Sequence, residues 1–274
     1  MSATDAGAGH MPEHTQGLAP VLLEREGHIA TITLNRPEKL NALNQEVRQT
    51  VMRMVDELQG DDSVRVAILQ GAGDRAFVAG ADVTEFAARS PEAQRELYTK
   101  RRVYDALADF EKPIICAIHG YCLGGGSELA LACDVRVADR TARFSQAEIR
   151  LGLIPGAGGT QRLARLVGPG QAMRIALTGE MIDAEEAYRI GLVEVLVDEG
   201  QHRTRARELA DQMARWSPVA LRLAKASIRK AYEAPLSEGL AFEKEAFLQA
   251  FESADGREGV SAFVEKREPE FTGE

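Results

Sequence analysis

The chain has 274 residues, 45% of them hydrophobic and 27% charged, enough to bury a full core in one large domain or one domain with an appendage. A formal net charge of −9, with 5% aromatic residues and one Trp, gives a nucleic-acid partner neither electrostatic nor base-stacking support. No apolar stretch approaches bilayer-spanning length, and Cys116, Cys122 and Cys133 form no C-x-x-C pair, so the expectation is a cytoplasmic chain with buried free thiols rather than a disulfide framework or a metal site.

Residues 1–20 contain no Lys or Arg and are rich in Gly, Ala, Ser and Thr, a composition that fits neither a secretory signal nor an Arg-rich transit peptide and reads as a disordered tail. His10 and His14 are separated by Pro12, which spoils a helical metal pair. Val21, Leu22 and Leu23 open the first strand, residues 24–27 read as a turn, and residues 28–34 alternate as a second strand, giving a hairpin. Residues 44–59 carry Val47, Val51, Met54, Val55 and Leu58 on one helical face. A strand follows at 64–69, then a glycine-rich stretch, 71–76, that superficially matches a dinucleotide fingerprint. No helix is expected to open there, because Gly80 falls where one should be established, so a loop placing backbone N–H groups is the better reading.

Residues 91–110 read as a polar helix with Leu97, Arg101, Tyr104 and Leu107 on one side. After Pro113, the apolar run 114–118 reads as a buried strand, followed by Gly124, Gly125 and Gly126 and an Ala/Leu-rich segment of high helix propensity. Glycines at such a turn bring backbone N–H groups close to a ligand, and the start of a helix leaves those groups unpaired and suited to an anion or a polarised carbonyl. Short strands are expected at 135–138 and 142–144. A second glycine turn, 156–160, leads into a helix to about Leu166. From Pro169 onward the chain is mostly helical, with an apolar break at 192–197 and amphipathic stripes over 202–216, 218–232 and 236–251. Alternation early and helices late predict an α/β core, residues 21–210, with a helical C-terminal region, 211–274.

With 42 acidic residues, any one Glu is by default a solvated surface charge. Glu128 and Glu148 differ in lying in mostly apolar, glycine-bearing segments, and if both face one cavity they supply the acid and base of proton-transfer chemistry. A nucleophile triad lacks its G-x-S-x-G elbow around Ser127, and the glycine run lacks the Lys-Ser/Thr of a P-loop. His119, at the end of the buried strand, reads as a packed, hydrogen-bonded histidine.

Ordered motifs then carry a resemblance: NRPEKLNAL at 35–43, AFVAGAD at 76–82, HGYCLGGGSELA at 119–130, and FSQAE at 144–148 continuing to GAGGTQRL at 156–163, with DGREG at 255–259 and AFVEKR at 262–267. On these, the chain resembles the enoyl-CoA hydratases of the crotonase (enoyl-CoA hydratase/isomerase) superfamily over about residues 21–271. The resemblance implies an α/β crotonase-like (ClpP/crotonase) spiral of β-β-α units, with a helical C-terminal region that assembles trimers, often paired into hexamers. It implies an oxyanion hole from the backbone N–H groups of Ala81 and Gly125. Glu128 and Glu148 would activate water and deliver a proton, and Gly156 would hold the water. Lys39, Leu40, Ala79, Ala81, Asp82, Val83 and Thr84 would line the CoA channel, with Phe263 and Lys266 contributed by a neighbouring subunit. The activity implied is hydration of trans-2-enoyl-CoA to 3-hydroxyacyl-CoA with no metal or redox cofactor, coenzyme A being part of the substrate. The alternatives are an enoyl-CoA isomerase, a hydratase specialised for a branched or aromatic acyl-CoA, and a non-catalytic acyl-CoA-binding scaffold.

Overall fold

The structure is a computed structural model and describes residues 19–274. All but the last two residues of the predicted tail lie outside that range, as do His10 and His14. Ala19 and Pro20 are tied down: their carbonyls accept hydrogen bonds from the Asn35 side chain (3.1 Å) and backbone N–H (2.8 Å).

The predicted hairpin is present as β1 (Val21–Glu26) and β2 (Ile29–Leu34), paired antiparallel from Val21↔Leu34 to Glu26↔Ile29. The expected turn at 24–27 is corrected. Glu24, Arg25 and Glu26 continue the strand, and the reversal is made by Gly27 and His28, with Gly27 at φ +57°, a conformation a glycine adopts without Cβ strain. Helix α1 (Gln45–Gln59) starts where the Asn44 side chain accepts from the Val47 N–H at 2.9 Å, and it buries Val47, Val51, Val55 and Leu58.

From there the chain repeats one unit. β3 (Val66–Gly71) and β4 (Ala76–Val78) lead into helices α2 (Val83–Ala87), α3 (Pro91–Tyr98) and α4 (Val103–Asp109). β5 (Ile114–Ile118) and β6 (Tyr121–Leu123) lead into α5 (Gly125–Ala132), and β7 (Val135–Asp139) and β8 (Arg143–Ser145) lead into α6 (Gly159–Thr178). The first strand of each pair enters one sheet and the second enters another. With β9 (Ile182–Asp183), α7 (Ala184–Arg189) and β10 (Val195–Val197), the sheet orders become β1-β2-β3-β5-β7-β10 and β4-β6-β8-β9. Strands of successive units pair in parallel, β3 with β5 with β7 and β4 with β6 with β8, so each β-β-α turn stacks on the last as a spiral.

The central strands β3 and β5 of the larger sheet are buried on both faces, which is why they read as continuous apolar runs. In β3 and β5, Ala67, Leu69, Ile114, Cys116 and Ile118 face the main core. Their neighbours Val66, Ile68, Ile115 and Ala117 face the other side, where Ala206, Ala210 and Ala214 of α8 (His202–Ala214) cover them. Alanine at every fourth position lets that helix lie close on the sheet. Burying each of the larger side chains contributes about 1.5–3 kcal/mol. All three cysteines are free and buried, as expected.

Three further expectations are corrected. The helix predicted over 91–110 is two helices, because Arg102 has extended backbone (φ −112°, ψ 164°) and starts α4 afresh, its N–H donating to Asp105 at 3.0 Å. The helix predicted to end near Leu166 continues as α6 to Thr178, broken at Gly168 (φ +78°) and restarted at Pro169, where a missing N–H costs no helical bond. The boundary expected between residues 210 and 211 falls inside α8, whose Ala214 still packs on the sheet. The stretch after Gly71 leads to β4 rather than a helix, as the rejection of the dinucleotide motif required.

Helices α9 (Pro218–Lys230), α10 (Leu236–Glu252) and α11 (Ala254–Glu265) form the C-terminal layer. Arg65 ties it to the sheet by donating to the carbonyls of Ala214 (3.0 Å) and Phe271 (2.6 Å). No helix among the described residues is long and apolar enough to cross a membrane.

One glycine of the triple run is a packing requirement. A Cβ on Gly126 would lie 2.2 Å from the Val78 carbonyl oxygen and 2.6 Å from Val78 Cβ, so α5 sits directly on β4 only because residue 126 has no side chain. Gly126→Ala is expected to lower stability by about 1–3 kcal/mol through overpacking. An unchanged urea midpoint for this variant would show that α5 is not seated on β4 in this way.

Candidate active site

Two backbone N–H groups form the centre of the site. Residues 40–43 run beside residues 79–82: Ala79 N–H donates to Leu40 O (3.0 Å), Leu43 N–H to Gly80 O (2.9 Å) and Asp82 N–H to Leu43 O (3.0 Å). This ladder skips Ala81, whose N–H has no partner among the described residues. Gly125 is the first residue of α5, so its N–H is one of those a helix start leaves unpaired. The preceding residue in each case is a glycine in a left-handed conformation, Gly80 at φ +126° and Gly124 at φ +49°. Those conformations turn the two free N–H groups out of their local chains. The two segments meet, for a Cβ on Gly125 would lie 3.4 Å from Ala81 N and 3.7 Å from Leu43 Cδ1. At the far end of α5 the buried Arg136 donates to the carbonyls of Ala130 (3.2 Å) and Cys133 (3.0 Å), complementing the helix dipole whose positive end points at the site.

Glu128, in the first turn of α5, is 3% exposed. Its Oε1 accepts from the backbone N–H groups of Ala157 (2.6 Å) and Gly159 (2.9 Å), so the N-terminus of α6 is aimed at this carboxylate. Each such charged hydrogen bond contributes about 1.5–3 kcal/mol. Burial raises the Glu128 carboxyl above its ordinary range, and these two N–H groups, then Arg102 and Arg162, oppose that rise.

Glu148 lies in a 3-10 turn, Ala147–Leu151, immediately after β8. Its Oε1 lies 2.8 Å from where a Cβ on Gly124 would stand, so that glycine makes room for the carboxyl as well as turning the peptide. Its Oε2 is buried with no hydrogen-bond partner among the described residues. Burial, and secondarily the charge of Glu128, push its pKa up to about 7. The two amide donors favour the ionised form of Glu128, and burial without a donor to Oε2 favours the protonated form of Glu148.

The structure thus brings together Ala81, Gly125, Glu128 and Glu148, and adds Gly156, whose N–H has no partner among the described residues. It places Lys39, Leu40, Ala79, Asp82, Val83 and Thr84 along the two adjoining segments leading away from the free N–H groups. Asp82 caps the start of α2, and the Thr84 hydroxyl, donating at 2.7 Å, is the main influence holding its carboxyl low. Phe263 and Lys266 are not brought to the pair within this chain: they project into solvent from the end of α11, Phe263 being 85% exposed.

Sequence reasoning missed two phenols. A Cβ on Gly156 would lie 2.3 Å from the Tyr98 hydroxyl, and one on Gly125 would lie 2.9 Å from the Tyr104 hydroxyl, so both phenols abut the site. Burial, then the charge of Glu128, push the Tyr104 hydroxyl far above its usual range and keep it protonated. Tyr104 had been noted only as part of a helical stripe, and nothing local marks it out. His119 is packed as expected, stacked on His202 with ring centroids 4.7 Å apart, but its ring nitrogens have no hydrogen-bond partner among the described residues. Burial pushes its pKa down to about 4, so the ring is neutral and serves as packing. Among the described residues no three His, Cys, Asp or Glu side chains cluster as a metal site.

The sequence profile of the enoyl-CoA hydratase/isomerase family matches residues 24–274. The chain is 42% identical over 251 residues to the short-chain-enoyl-CoA hydratase of Clostridium acetobutylicum, covering 91% of this chain and 96% of that protein. It is 38% identical to the crotonyl-CoA hydratase of Syntrophomonas wolfei over 92% of this chain and 97% of the relative. Among solved structures, the enoyl-CoA hydratase from Bacillus anthracis superposes with a TM-score of 0.88 at 38% identity, covering 93% of this chain and all of the other. With its β-β-α spiral, its paired glycine turns and its two facing glutamates, the chain belongs to the enoyl-CoA hydratase/isomerase family and has the crotonase fold.

Proposed function

We propose that the protein is an enoyl-CoA hydratase of fatty-acid degradation, adding water across the 2,3 double bond of trans-2-enoyl-CoA to give 3-hydroxyacyl-CoA. The observation that carries this reading is the free Ala81 and Gly125 N–H groups beside one carboxyl held by two backbone amides and a second whose Oε2 is buried without a donor. The thioester oxygen accepts from both N–H groups, which draws electron density from Cβ. Glu128, as the carboxylate, takes a proton from a water held also by the Gly156 N–H, and the hydroxide equivalent adds to Cβ. Charge then develops on the thioester oxygen, where two preorganised donors in a buried site stabilise it most; one such donor is worth about 2.7–4 kcal/mol. Glu148 delivers its proton to Cα. One proton is taken up by Glu128 and one released by Glu148, so the product has gained one water and exchange with solvent resets the pair.

In this reading the protein supplies backbone donors and two carboxyls and needs no metal or redox cofactor, coenzyme A arriving with the substrate. The CoA moiety lies along Lys39, Leu40, Ala79 and residues 81–84. Phe263 and Lys266 of a neighbouring copy complete that channel. Assembly into a trimer, or a dimer of trimers, accounts for the apolar side chains left exposed on the C-terminal layer, among them Leu236 (78%), Phe247 (66%) and Phe263 (85%). Three reduced, buried thiols fit action in the cytoplasm.

Purified protein is expected to remove the conjugated enoyl-thioester absorbance of crotonyl-CoA or a longer homologue, with a product heavier by one water. A product of unchanged mass would make the protein an isomerase. No turnover across chain lengths, in folded protein, would make it a binding scaffold.

A further inference from the structure

We propose that Arg102 is a positioning residue for Glu128, acting through the single peptide group between Gly156 and Ala157. The inference rests on Glu128 being the base of the hydration proposed above. One guanidinium nitrogen of Arg102, Nη1, donates to the Gly156 carbonyl at 2.8 Å. The N–H of that same peptide group, on Ala157, donates to Glu128 Oε1 at 2.6 Å. A carbonyl that accepts a charged hydrogen bond polarises its own amide, so the N–H at the other end becomes a stronger donor. The peptide also cannot rotate away from Glu128 without breaking its bond to Arg102.

The guanidinium is itself fixed. Its Nε and Nη2 donate to the two oxygens of Asp105 at 3.1 and 3.3 Å, and it lies 4.9 Å from the centre of the Tyr98 ring. Asp105 in turn accepts from the backbone N–H of Arg102 at 3.0 Å, the contact that starts α4. The break in the expected 91–110 helix therefore has a consequence at the site: it turns residue 102 toward the 156–159 turn. Arg162 braces the next carbonyl, that of Ala157, at 3.0 Å, but the amide of that peptide belongs to Gly158 and does not reach Glu128. Of these two arginine side-chain bonds, the one from Arg102 lies on a peptide that touches the carboxylate and the one from Arg162 does not. The positive charges of Arg102 and Arg162 both favour the ionised form of Glu128, in the same sense as the hydrogen bond.

The test is Arg102→Met, read by two measurements. In protein labelled with 13Cδ-glutamate, the Glu128 resonance, assigned by its absence in Glu128→Gln, is expected to titrate about half a unit to one unit higher than in the parent, because a nearby opposite charge is lost. In turnover, kcat is expected to fall about tenfold with KM changed less than about twofold, and the acid limb of the pH profile to move up with the resonance. Arg102→Lys keeps the charge but shortens the reach and loses the two-point anchor on Asp105, and is expected to shift both readouts in the same direction by less. It serves as the test where methionine compromises folding. A Glu128 midpoint unchanged or lowered in the folded variants overturns the proposal, since Arg102 would then be mere bracing. The resonance titrates without turnover, so a protein that hydrates no enoyl-CoA would overturn the functional reading while the midpoint still decides the role of Arg102.

Discussion

Glu128→Gln is expected to lower kcat for enoyl-CoA hydration by about 10³–10⁴-fold while leaving the fold intact, the upper part of the range for loss of a general base. Glutamine keeps the volume and an acceptor oxygen, so the Ala157 and Gly159 N–H groups, now 2.6 and 2.9 Å from Glu128 Oε1, retain a partner and no buried donor is orphaned. What is lost is the charge that takes the proton from water. The same substitution should lower the titration midpoint of Glu148, because the Glu128 charge is one of the influences that raise it. Steady-state kinetics on crotonyl-CoA with a thermal melt on the same sample checks both halves. A loss of activity matched by a loss of folded protein, or a variant within tenfold of the parent, would remove Glu128 from the role of base.

Glu148→Gln is expected to cost about 10²–10⁴-fold in kcat, by removing the proton delivered to Cα. Its Oε2 has no partner among the described residues, so an amide there breaks no hydrogen bond at that position, and stability should change little. The pH dependence gives a sharper signature. The carboxyl is pushed up to about 7, so it is protonated and competent below that value and ionised above it. In the parent, kcat/KM for hydration should fall as pH rises through about 7, and Glu148→Gln should lack that limb on its residual activity. A parent profile flat across that region would move the proton-donating role to another group. The double variant should be little worse than the slower single one, since groups that act together as a unit in one addition are not additive.

Much of this was legible in the chain itself. The run Ile114, Ile115, Cys116, Ala117, Ile118 reads as a buried strand because β5 is covered on both faces, and such a strand has no polar face to alternate. The stripe of α1 is visible because amphipathicity is local. The two glutamates stand out by context, acidic residues among glycines and apolar neighbours, and the motifs around them identify the family. Strands β4 and β6 are three residues each, too short for any periodicity to register. The division of the 91–110 helix escaped because its cause is a side-chain cap at Arg102 and Asp105 that only the turn toward Gly156 makes worthwhile.

The sequence by itself determined which residue types the chemistry has available: two carboxyls, glycine turns able to expose N–H groups, and apolar strands to bury them. Tertiary structure decided how they differ. Ala81 and Gly125 become a pair because the 40–43 ladder passes over Ala81 and brings it to the start of α5. The Ala157 and Gly159 amides reach Glu128 and favour its ionised form, whereas Oε2 of Glu148 has no donor among the described residues. A carboxyl's protonation depends on its burial and on the dipoles aimed at it, and here those dipoles come from a helix that begins some thirty residues further along the chain.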